Sequence, residues 1–284
     1  MTRILVGIDG TERGNKALAW GARYGHREGA TLTLAAVVDP AIARMYGAAK
    51  ESTDASIEHV LNAAKESVLA KYPDAKIETK LLTGKVIDCL VEESANHDLI
   101  VMGSHHGASV GETVGGAKGL RVSVSVDIPT VVVPCDWDFH NKNHRIVAGV
   151  GPDESSNSAV MFAVREALAD GEQLDLVSGW GLPALLTKPA EAMGGGIGPV
   201  GEQFQQNLDQ LAAELKEANP ELDVVAHAVE GSSPTRAILE YARDSKLLVL
   251  GTHSRSALGR TLFGSVTHSV LLNLCVPTVI VPKS

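Results

Sequence analysis

The second half of this chain repeats the first, and this repeat limits the folds that the chain can adopt. Arg3–Gly10 reads R-I-L-V-G-I-D-G, and Arg145–Pro152 reads R-I-V-A-G-V-G-P. Near the end of each half, I-P-T-V-V-V-P from Ile128 is matched by V-P-T-V-I-V-P from Val276. The matching segments keep their order, with offsets of 142 and 148 positions. A duplication of this kind predicts two similar domains that perform one function twice.

The length and composition agree with two domains. A chain of 284 residues is long for one core and sufficient for two. The repeat predicts domains at 1–137 and 145–284, with the polar segment 138–144 as the linker between them. Aromatic residues make up only 4% of the chain, so Val, Ile, Leu and Ala must build the cores. Such cores favour buried parallel strands.

Short apolar runs alternate with amphipathic segments in both halves. Arg3–Asp9 is typical of a buried strand, and Asn15–Glu28 carries the apolar stripe of a helix. This alternation predicts the α/β class, with two tandem doubly wound parallel sheets. The strands that close the halves, Thr130–Val133 and Thr278–Val281, are predicted to lie at sheet edges and to pair antiparallel with each other. The glycine-rich segment Met193–Gly201 is predicted to be a surface loop.

Charge and hydropathy exclude several classes of function. The net charge is -9 and there is no basic run, which argues against nucleic-acid binding. The sequence contains no stretch of 18 apolar residues, so no membrane span is predicted. The amino terminus lacks the pattern of a signal peptide. The three cysteines have no CxxC spacing, which fits a reducing compartment. We therefore expect a cytoplasmic protein without a metal site.

The candidate binding residues follow the first and fourth strands of each half. Ligands of open parallel sheets bind beyond the carboxyl ends of the strands. Asp9 follows the first strand of the first half, and Gly103 follows its fourth strand. The corresponding residues of the second half are Gly151 and Gly251. A small residue after the fourth strand lets the backbone approach a ligand.

The loop after Gly251 carries the most specific motif. Gly264 and Ser265 are predicted to open a helix, where free N–H groups and a hydroxyl can bind phosphate oxygens. Gly251, Ser254, Gly264 and Ser265 together resemble the nucleotide signature of the universal stress protein family, G-x2-G-x9-G-[ST]. Ser254 replaces the second glycine of that signature. The resemblance is to the tandem form of the family and covers essentially the whole chain.

The first half departs further from the family signature. It supplies Gly103, His106, Gly116 and Ala117, so the second glycine and the final Ser or Thr are both replaced. It does keep Asp9, which the resemblance implies would contact the nucleoside, whereas Gly151 takes that position in the second half.

The resemblance also implies further site residues. The backbone of Val37 and of Gly179, on the second strand of each half, would meet the adenine. His253 and Val266 complete the predicted nucleotide site of the second half. The family fold is that of the adenine-nucleotide α-hydrolase group, and the family implies a pseudo-twofold arrangement of two halves within one chain.

The function predicted on these grounds is regulatory binding of an adenine nucleotide, first of all ATP, with or without Mg²⁺. The second half is the preferred site, and a protein partner would sense its occupancy. No GxxxxGK[ST] or GxSxG motif predicts catalysis, although weak ATP hydrolysis needs no dedicated residue. A homodimer of the whole chain is left open.

Three alternatives are weighed against this prediction. The first alternative is a nucleotide-free interaction protein that keeps the same fold but has degenerate sites. An enzyme of the same fold group would need a phosphate loop after the first strand, which neither half supplies. In the third alternative both residues have purely structural roles: Asp9 forms a turn with Gly10 and caps the next helix, and Ser265 is a helix cap.

Overall fold

The computed structural model describes residues 2–45, 50–104, 117–140, 143–151, 154–181, 198–252 and 265–283. The chain divides into two compact units, Met1–Trp137 and Asp138–Ser284. Residues 138–144, predicted as the linker, lead into the first strand of the second unit.

The first unit contains five strands and five helices within its described residues. The strands are β1 (Arg3–Gly7), β2 (Thr31–Val38), β3 (Lys76–Thr83), β4 (Leu99–Gly103) and β5 (Thr130–Val133). The helices are α1 (Glu12–Glu28), α2 (Pro40–Met45), α3 (Lys50–Lys71), α4 (Val86–Ser94) and α5 (Ala117–Ser123).

The second unit repeats this order. Its strands are β6 (Arg145–Gly149), β7 (Gln173–Trp180), β8 (Val224–Glu230), β9 (Leu247–Gly251) and β10 (Thr278–Val281). Its helices in the described residues are α6 (Asn157–Asp170), α7 (Gly198–Ala218), α8 (Pro234–Ala242) and α9 (Ser265–Leu271), and a short 3-10 turn at Glu154–Ser156 precedes α6.

Each unit forms a parallel sheet with the same strand order. In the first unit β1 pairs with β2 and β4, β2 with β3, and β4 with β5, which gives the order β3-β2-β1-β4-β5. In the second unit β6 pairs with β7 and β9, β7 with β8, and β9 with β10. All of these pairs are parallel, so the predicted α/β class with parallel sheets is confirmed. The strand order changes direction at β1 and β6, which makes their carboxyl ends the expected ligand edge.

The central strands are apolar on both faces, as buried parallel strands require. Ile4, Leu5 and Val6 of β1 are fully buried, and so are Val147 and Ala148 of β6.

The first helix of each unit ends in the same way. Gly29 after α1 has φ of 59°, and Gly171 after α6 has φ of 64°. The left-handed conformation at this position costs glycine little, so both helices stop at a glycine in equivalent positions.

Two predicted connections are partly helical. Asp39-Pro40 ends β2, but the carboxylate of Asp39 accepts a hydrogen bond from the Ala41 N–H at 2.9 Å, and helix α2 begins at Pro40. Proline suits the first position of a helix because its missing N–H has no helical partner there. The prediction of a surface loop over Met193–Gly201 is wrong at the carboxyl end of this segment, because helix α7 already begins at Gly198. The rest of that loop lies outside the described residues.

Candidate functional site

The predicted site residues of the first unit follow adjacent strands. Val6 of β1 is in register with Val101 of β4, so Asp9 and Gly103 follow neighbouring strand ends. The N–H of Ile8 donates to the carbonyl of Ala35 at 2.8 Å, which extends the contact between β1 and β2 beyond Gly7. Val37 lies on β2, two residues after Ala35, and is half-buried against the core. Gly116 lies outside the described residues.

Asp9 is exposed and organises the turn into α1. Its Oδ1 accepts hydrogen bonds from the Thr11 N–H at 3.0 Å and from the Thr11 hydroxyl at 2.6 Å. Thr11 is the N-cap of α1, and its Oγ1 accepts from the Gly14 N–H at 3.2 Å. Gly10 turns the chain with φ of 72°. The alternative that Asp9 forms the turn therefore has a structural basis, although the helix cap is Thr11 and Asp9 acts through it.

This cap explains why α1 begins before Asn15, where the apolar stripe begins. A Thr side chain at the N-cap satisfies an N–H that the helix itself leaves without a partner. The polar residues Glu12 and Arg13 then form the exposed first turn, which the apolar pattern does not reveal.

Gly103 and Gly251 allow two backbone segments to touch. A Cβ built on Gly103 lies 2.6 Å from the carbonyl oxygen of Arg13, in the first turn of α1. A Cβ on Gly251 would collide with the carbonyl oxygen of Ser155, in the turn before α6. Real Cβ atoms essentially never come within 3.0 Å of other heavy atoms. Both glycines are therefore required by packing inside their units, whether or not a ligand binds.

The second unit has Gly151 after β6, where the first unit has Asp9 after β1. The N–H of Gly151, in the position of Asp9, donates to Ser156 Oγ at 3.3 Å. In the first unit the side chain of Asp9 accepts from the following segment, whereas here a hydroxyl of the following segment accepts from the backbone of Gly151. The turn around Gly151 consequently carries no negative charge from that position.

The end of β9 is tied to the last helix. The Thr267 hydroxyl donates to the carbonyl of Gly251 at 2.9 Å, and Thr267 is almost fully buried. Helix α9 begins at Ser265, which is exposed, and Val266 is half-buried. His253, Ser254 and Gly264 lie outside the described residues. The helix that Gly264 and Ser265 are predicted to open begins at Ser265 and ends at Leu271.

Gly179 on β7 has no room for a side chain. A Cβ at this position would collide with the carbonyl of Pro234 and lie 3.1 Å from Ile238 Cγ1, at the start of α8. Packing between α8 and β7 therefore accounts for Gly179, while Val37 in the first unit carries a side chain at the corresponding place.

The sequence reasoning missed a buried charged cluster in the second unit. Asp175 on β7 is 1% exposed, and its Oδ2 accepts from the Tyr241 hydroxyl at 2.9 Å and from Arg145 Nη1 at 3.3 Å. Burial raises the pKa of Tyr241 first of all, and the hydrogen bond and negative charge of Asp175 raise it further. A charged residue inside the apolar run Gln173–Trp180 is the sequence signal that could have revealed the cluster.

The first unit has an uncharged residue in the equivalent position. Leu5 of β1 is in register with Thr33, just as Val147 of β6 is in register with Asp175. Thr33 is buried and lies 2.8 Å, Oγ1 to Nε2, from the buried imidazole of His97. The two units thus support one fold with different polar contacts.

Three further properties of the described residues concern metal binding, membrane spans and cysteine reactivity. Within those ranges, no group of three or more His, Cys, Asp or Glu side chains is placed to hold a metal ion. None of the described helices is both long and apolar enough to cross a membrane. The pKa of the Cys89 thiol is raised, first by burial and then by the nearby carboxylates of Glu92, Asp88 and Asp39, which does not suit a reactive cysteine.

Comparison with known proteins identifies the family. The model of the universal stress protein family matches residues 1–134 and 142–282. A universal stress protein of Mycolicibacterium smegmatis is 26% identical, with coverage of 98% of this chain and 96% of that protein. One of Mycobacterium tuberculosis strain H37Rv is also 26% identical, over 99% and 97% of the two chains. The crystal structure of a universal stress protein from Archaeoglobus fulgidus superposes with a TM-score of 0.69 at 14% identity, over 99% and 98% of the chains. The chain belongs to the universal stress protein family, with one family domain in each half.

Proposed function

We propose that this chain is a regulatory protein that binds an adenine nucleotide, first of all ATP, at the second unit. The observation that carries the proposal is the sequence of the loop after β9, where Gly251, Ser254, Gly264 and Ser265 keep the spacing of the family's nucleotide signature. Family membership supports reading this spacing as a nucleotide signature rather than as a chance pattern.

The described geometry supports the same site. The Thr267 hydroxyl fixes the carbonyl of Gly251 to α9, so both ends of the segment 253–264 are held at the carboxyl edge of the sheet. Ser265 at the start of α9 is exposed and can offer a hydroxyl to a phosphate. Gly151 takes the place of the aspartate that the family resemblance assigns to the nucleoside, so this unit would have to bind the nucleoside without that carboxylate.

The first unit is the weaker site in this proposal. Oδ1 of Asp9 already accepts two hydrogen bonds from Thr11, so a nucleoside hydroxyl would have to share this carboxylate with the turn. Ala117 has no hydroxyl to donate, and His106 replaces a glycine of the signature. These departures favour a second candidate function, a nucleotide-free interaction protein, for the first unit.

A binding role is preferred to catalysis, since neither half carries a recognised catalytic motif. Occupancy of the second unit would report the supply of nucleotide to a protein partner. Dimerisation of the whole chain belongs to the same proposal, and sedimentation with and without ATP tests it.

Isothermal titration calorimetry with ATP, AMP and cyclic AMP, each with and without Mg²⁺, tests the nucleotide site. We expect Ser265→Ala to lower the affinity for ATP by about tenfold to a hundredfold, because a hydrogen bond to a charged group contributes roughly 1.5–3 kcal/mol. Gly264→Val should abolish binding. Ser269→Ala, one turn further along α9, is the matched control and should bind as the wild type does.

The outcomes separate the two candidate functions. Binding that survives Gly264→Val but is lost in Asp9→Asn would move the site to the first unit. The absence of any heat, together with a melting temperature that no nucleotide changes, would refute nucleotide binding and leave the interaction protein as the function.

A further inference from the structure

We propose that the outer edge of β3 in the first unit is an interface at which two copies of this chain pair, with their β3 strands antiparallel and Thr79 opposite Thr79. β3 lies at one end of the strand order of its unit, and among the described strands it pairs only with β2. An edge strand presents backbone donors and acceptors to which a second strand can bind. The inference rests on the dimerisation proposed above, for which it gives a surface, and it does not depend on nucleotide binding.

Alternate residues of β3 direct their backbone groups away from the sheet. The N–H of Gly84, directly after β3, donates to the carbonyl of Val38 on β2 at 2.9 Å. The direction of the backbone groups alternates along a strand, so the even-numbered residues face β2, and Ile77, Thr79 and Leu81 face outward. No residue that the structure describes forms a hydrogen bond with the outward backbone groups of these three. Thr79, at the centre, is exposed.

The second unit covers the equivalent edge with one side chain. Nε2 of Gln205 on α7 donates to the carbonyl of Ala226 on β8 at 2.9 Å, and Oε1 accepts from the Ala228 N–H at 2.8 Å. Nε2 also donates to Oδ1 of Asp209 at 2.8 Å, which fixes the orientation of the amide. The amide forms the hydrogen bonds that a neighbouring strand would form, and it thereby blocks this edge of β8.

The first unit has a glutamate where α7 carries this glutamine. An offset of 147 relates Thr79 to Ala226, and it also relates the buried Leu61 of α3 to the buried Leu208 of α7. The same offset places Glu58, which is exposed, at the position of the glutamine. An ionised carboxylate accepts hydrogen bonds but does not donate them, so Glu58 cannot bridge a carbonyl and an N–H as the amide does. The first unit therefore leaves open an edge that its duplicate blocks.

The charges on β3 favour one antiparallel register. With Thr79 at the centre, Glu78 of one copy lies opposite Lys80 of the other, and Ile77 lies opposite Leu81. A register centred on Glu78 or on Lys80 places like charges opposite each other, which destabilises a strand pair. Thr79 also faces outward, so the backbone groups of the two copies can exchange hydrogen bonds in this register. This complementarity of the strand with itself favours a second copy as the occupant of the edge.

Both charges already lie in ion pairs that would continue across the interface. Arg3 Nη2 lies 2.9 Å from Glu78 Oε2, and Lys80 Nζ lies 2.6 Å from Glu93 Oε1. Pairing about Thr79 would join them into an alternating row of four charges, two from each copy. Salt screens charges that are exposed to solvent, so the dimer should weaken as the ionic strength rises.

The expected interface is small. Three pairs of outward residues exchange two hydrogen bonds each, which gives roughly six backbone hydrogen bonds. An interface confined to one strand edge lies at the lower end of known interface sizes, so we expect a reversible dimer that dissociates on dilution. Sedimentation velocity of the full-length chain between roughly 1 and 200 µM covers the range expected for such an interface.

A substitution at Glu58 tests whether the edge of β3 forms the dimer. Glu58→Gln should weaken the dimer about fivefold, because the new amide would compete for the carbonyl of Thr79 and the N–H of Leu81. Glu58→Ala removes the same charge without supplying an amide. It is the matched control and should dimerise as the wild type does. The position is exposed, so both variants should keep the melting temperature of the wild type.

Cysteine cross-linking tests the register. The Cα atoms of a hydrogen-bonded antiparallel pair are about 5.5 Å apart, a distance that a disulfide spans. Thr79→Cys should therefore form a disulfide-linked dimer when the chain is oxidised with diamide. Thr83→Cys is the control at another exposed position of β3, because its two copies would be about 26 Å apart along the strands. Peptide mapping separates this bond from bonds of the native cysteines Cys89, Cys135 and Cys275.

The expected result is a concentration-dependent dimer that Glu58→Gln weakens and Glu58→Ala does not, with cross-linking through Thr79→Cys alone. A wild type that stays monomeric would overturn the proposal together with dimerisation itself. A dimer that Glu58→Gln leaves unchanged, or equal cross-linking of the two cysteine variants, would also overturn it, but would leave dimerisation in place through another surface. Calorimetry with ATP tests the nucleotide site separately from each of these results.

Discussion

Replacing Gly103 with alanine should destabilise the first unit. The Cβ of the new residue would lie 2.6 Å from the carbonyl oxygen of Arg13 and 3.0 Å from its carbonyl carbon. Ordinary van der Waals contact begins at 3.4 Å, so strand and helix would have to separate by about 0.8 Å. Both contacted atoms belong to the backbone, and no change of rotamer can relieve the clash.

The neighbouring structure resists this separation. Gly103 is in register with Val133 of β5, and Val101 is in register with Val6 of β1, so β4 is held on both sides. Overpacking of this kind typically costs about 1–3 kcal/mol. For a unit of the size of Met1–Trp137, that cost corresponds to a fall in melting temperature of about 3–9 °C.

Differential scanning calorimetry of the full chain measures this effect. Gly7→Ala is the matched control, because the nearest atoms to a Cβ there are 3.9 Å away. We expect Gly7→Ala to melt within about 2 °C of the wild type. Close packing does not explain this glycine if Gly103→Ala has the melting temperature of the wild type. The same conclusion follows if Gly103→Ala and Gly7→Ala lower the melting temperature by equal amounts. Gly251→Ala repeats the experiment in the second unit, where Ser155 provides the obstacle.

Two further predictions concern titratable groups. Folding raises the pKa of Tyr241 above its ordinary value of about 10, so the unfolded chain releases this proton first. The contribution of Tyr241 to the free energy of unfolding should be complete below pH 10 and should be lost as the pH rises above it. Urea denaturation between pH 8 and 11 should therefore show that the free energy of unfolding falls less steeply with pH in Tyr241→Phe than in the wild type. Parallel profiles of the two proteins would contradict this. Burial and nearby carboxylates raise the pKa of Cys89, so iodoacetamide should alkylate it at pH 8 more slowly than in the urea-unfolded chain. Mass spectrometry of the Cys89 peptide gives both rates, and equal rates would refute the prediction.

The sequence predicts the strands better than the ends of the helices. Runs such as Ile4–Val6 have to be buried on both faces, and this requirement is visible in the residues themselves. The start of α1 depends instead on a hydrogen bond between Thr11 and Gly14, and the start of α2 depends on one between Asp39 and Ala41. A polar residue before a helix is also common in turns, so the pattern alone does not locate these ends.

The site could be predicted only as far as the topology determines it. Parallel strands in the order found here bring Asp9 and Gly103 to one edge, and that follows from the alternation of strands and helices. The space around Gly103 is set by the first turn of α1, which no local pattern reveals.

The duplicated units separate signature residues that packing explains from signature residues that it does not explain. Gly103 and Gly251 both sit against a backbone carbonyl, so packing alone accounts for a glycine in both halves. A glycine at this position would therefore persist in a unit that had lost its ligand. Ser265 differs in this respect, because its side chain is exposed at the start of α9 and the first half has Ala117 in its place. The contrast between Ser265 and Ala117 therefore adds to the signature spacing as support for the proposal that the second unit binds the nucleotide.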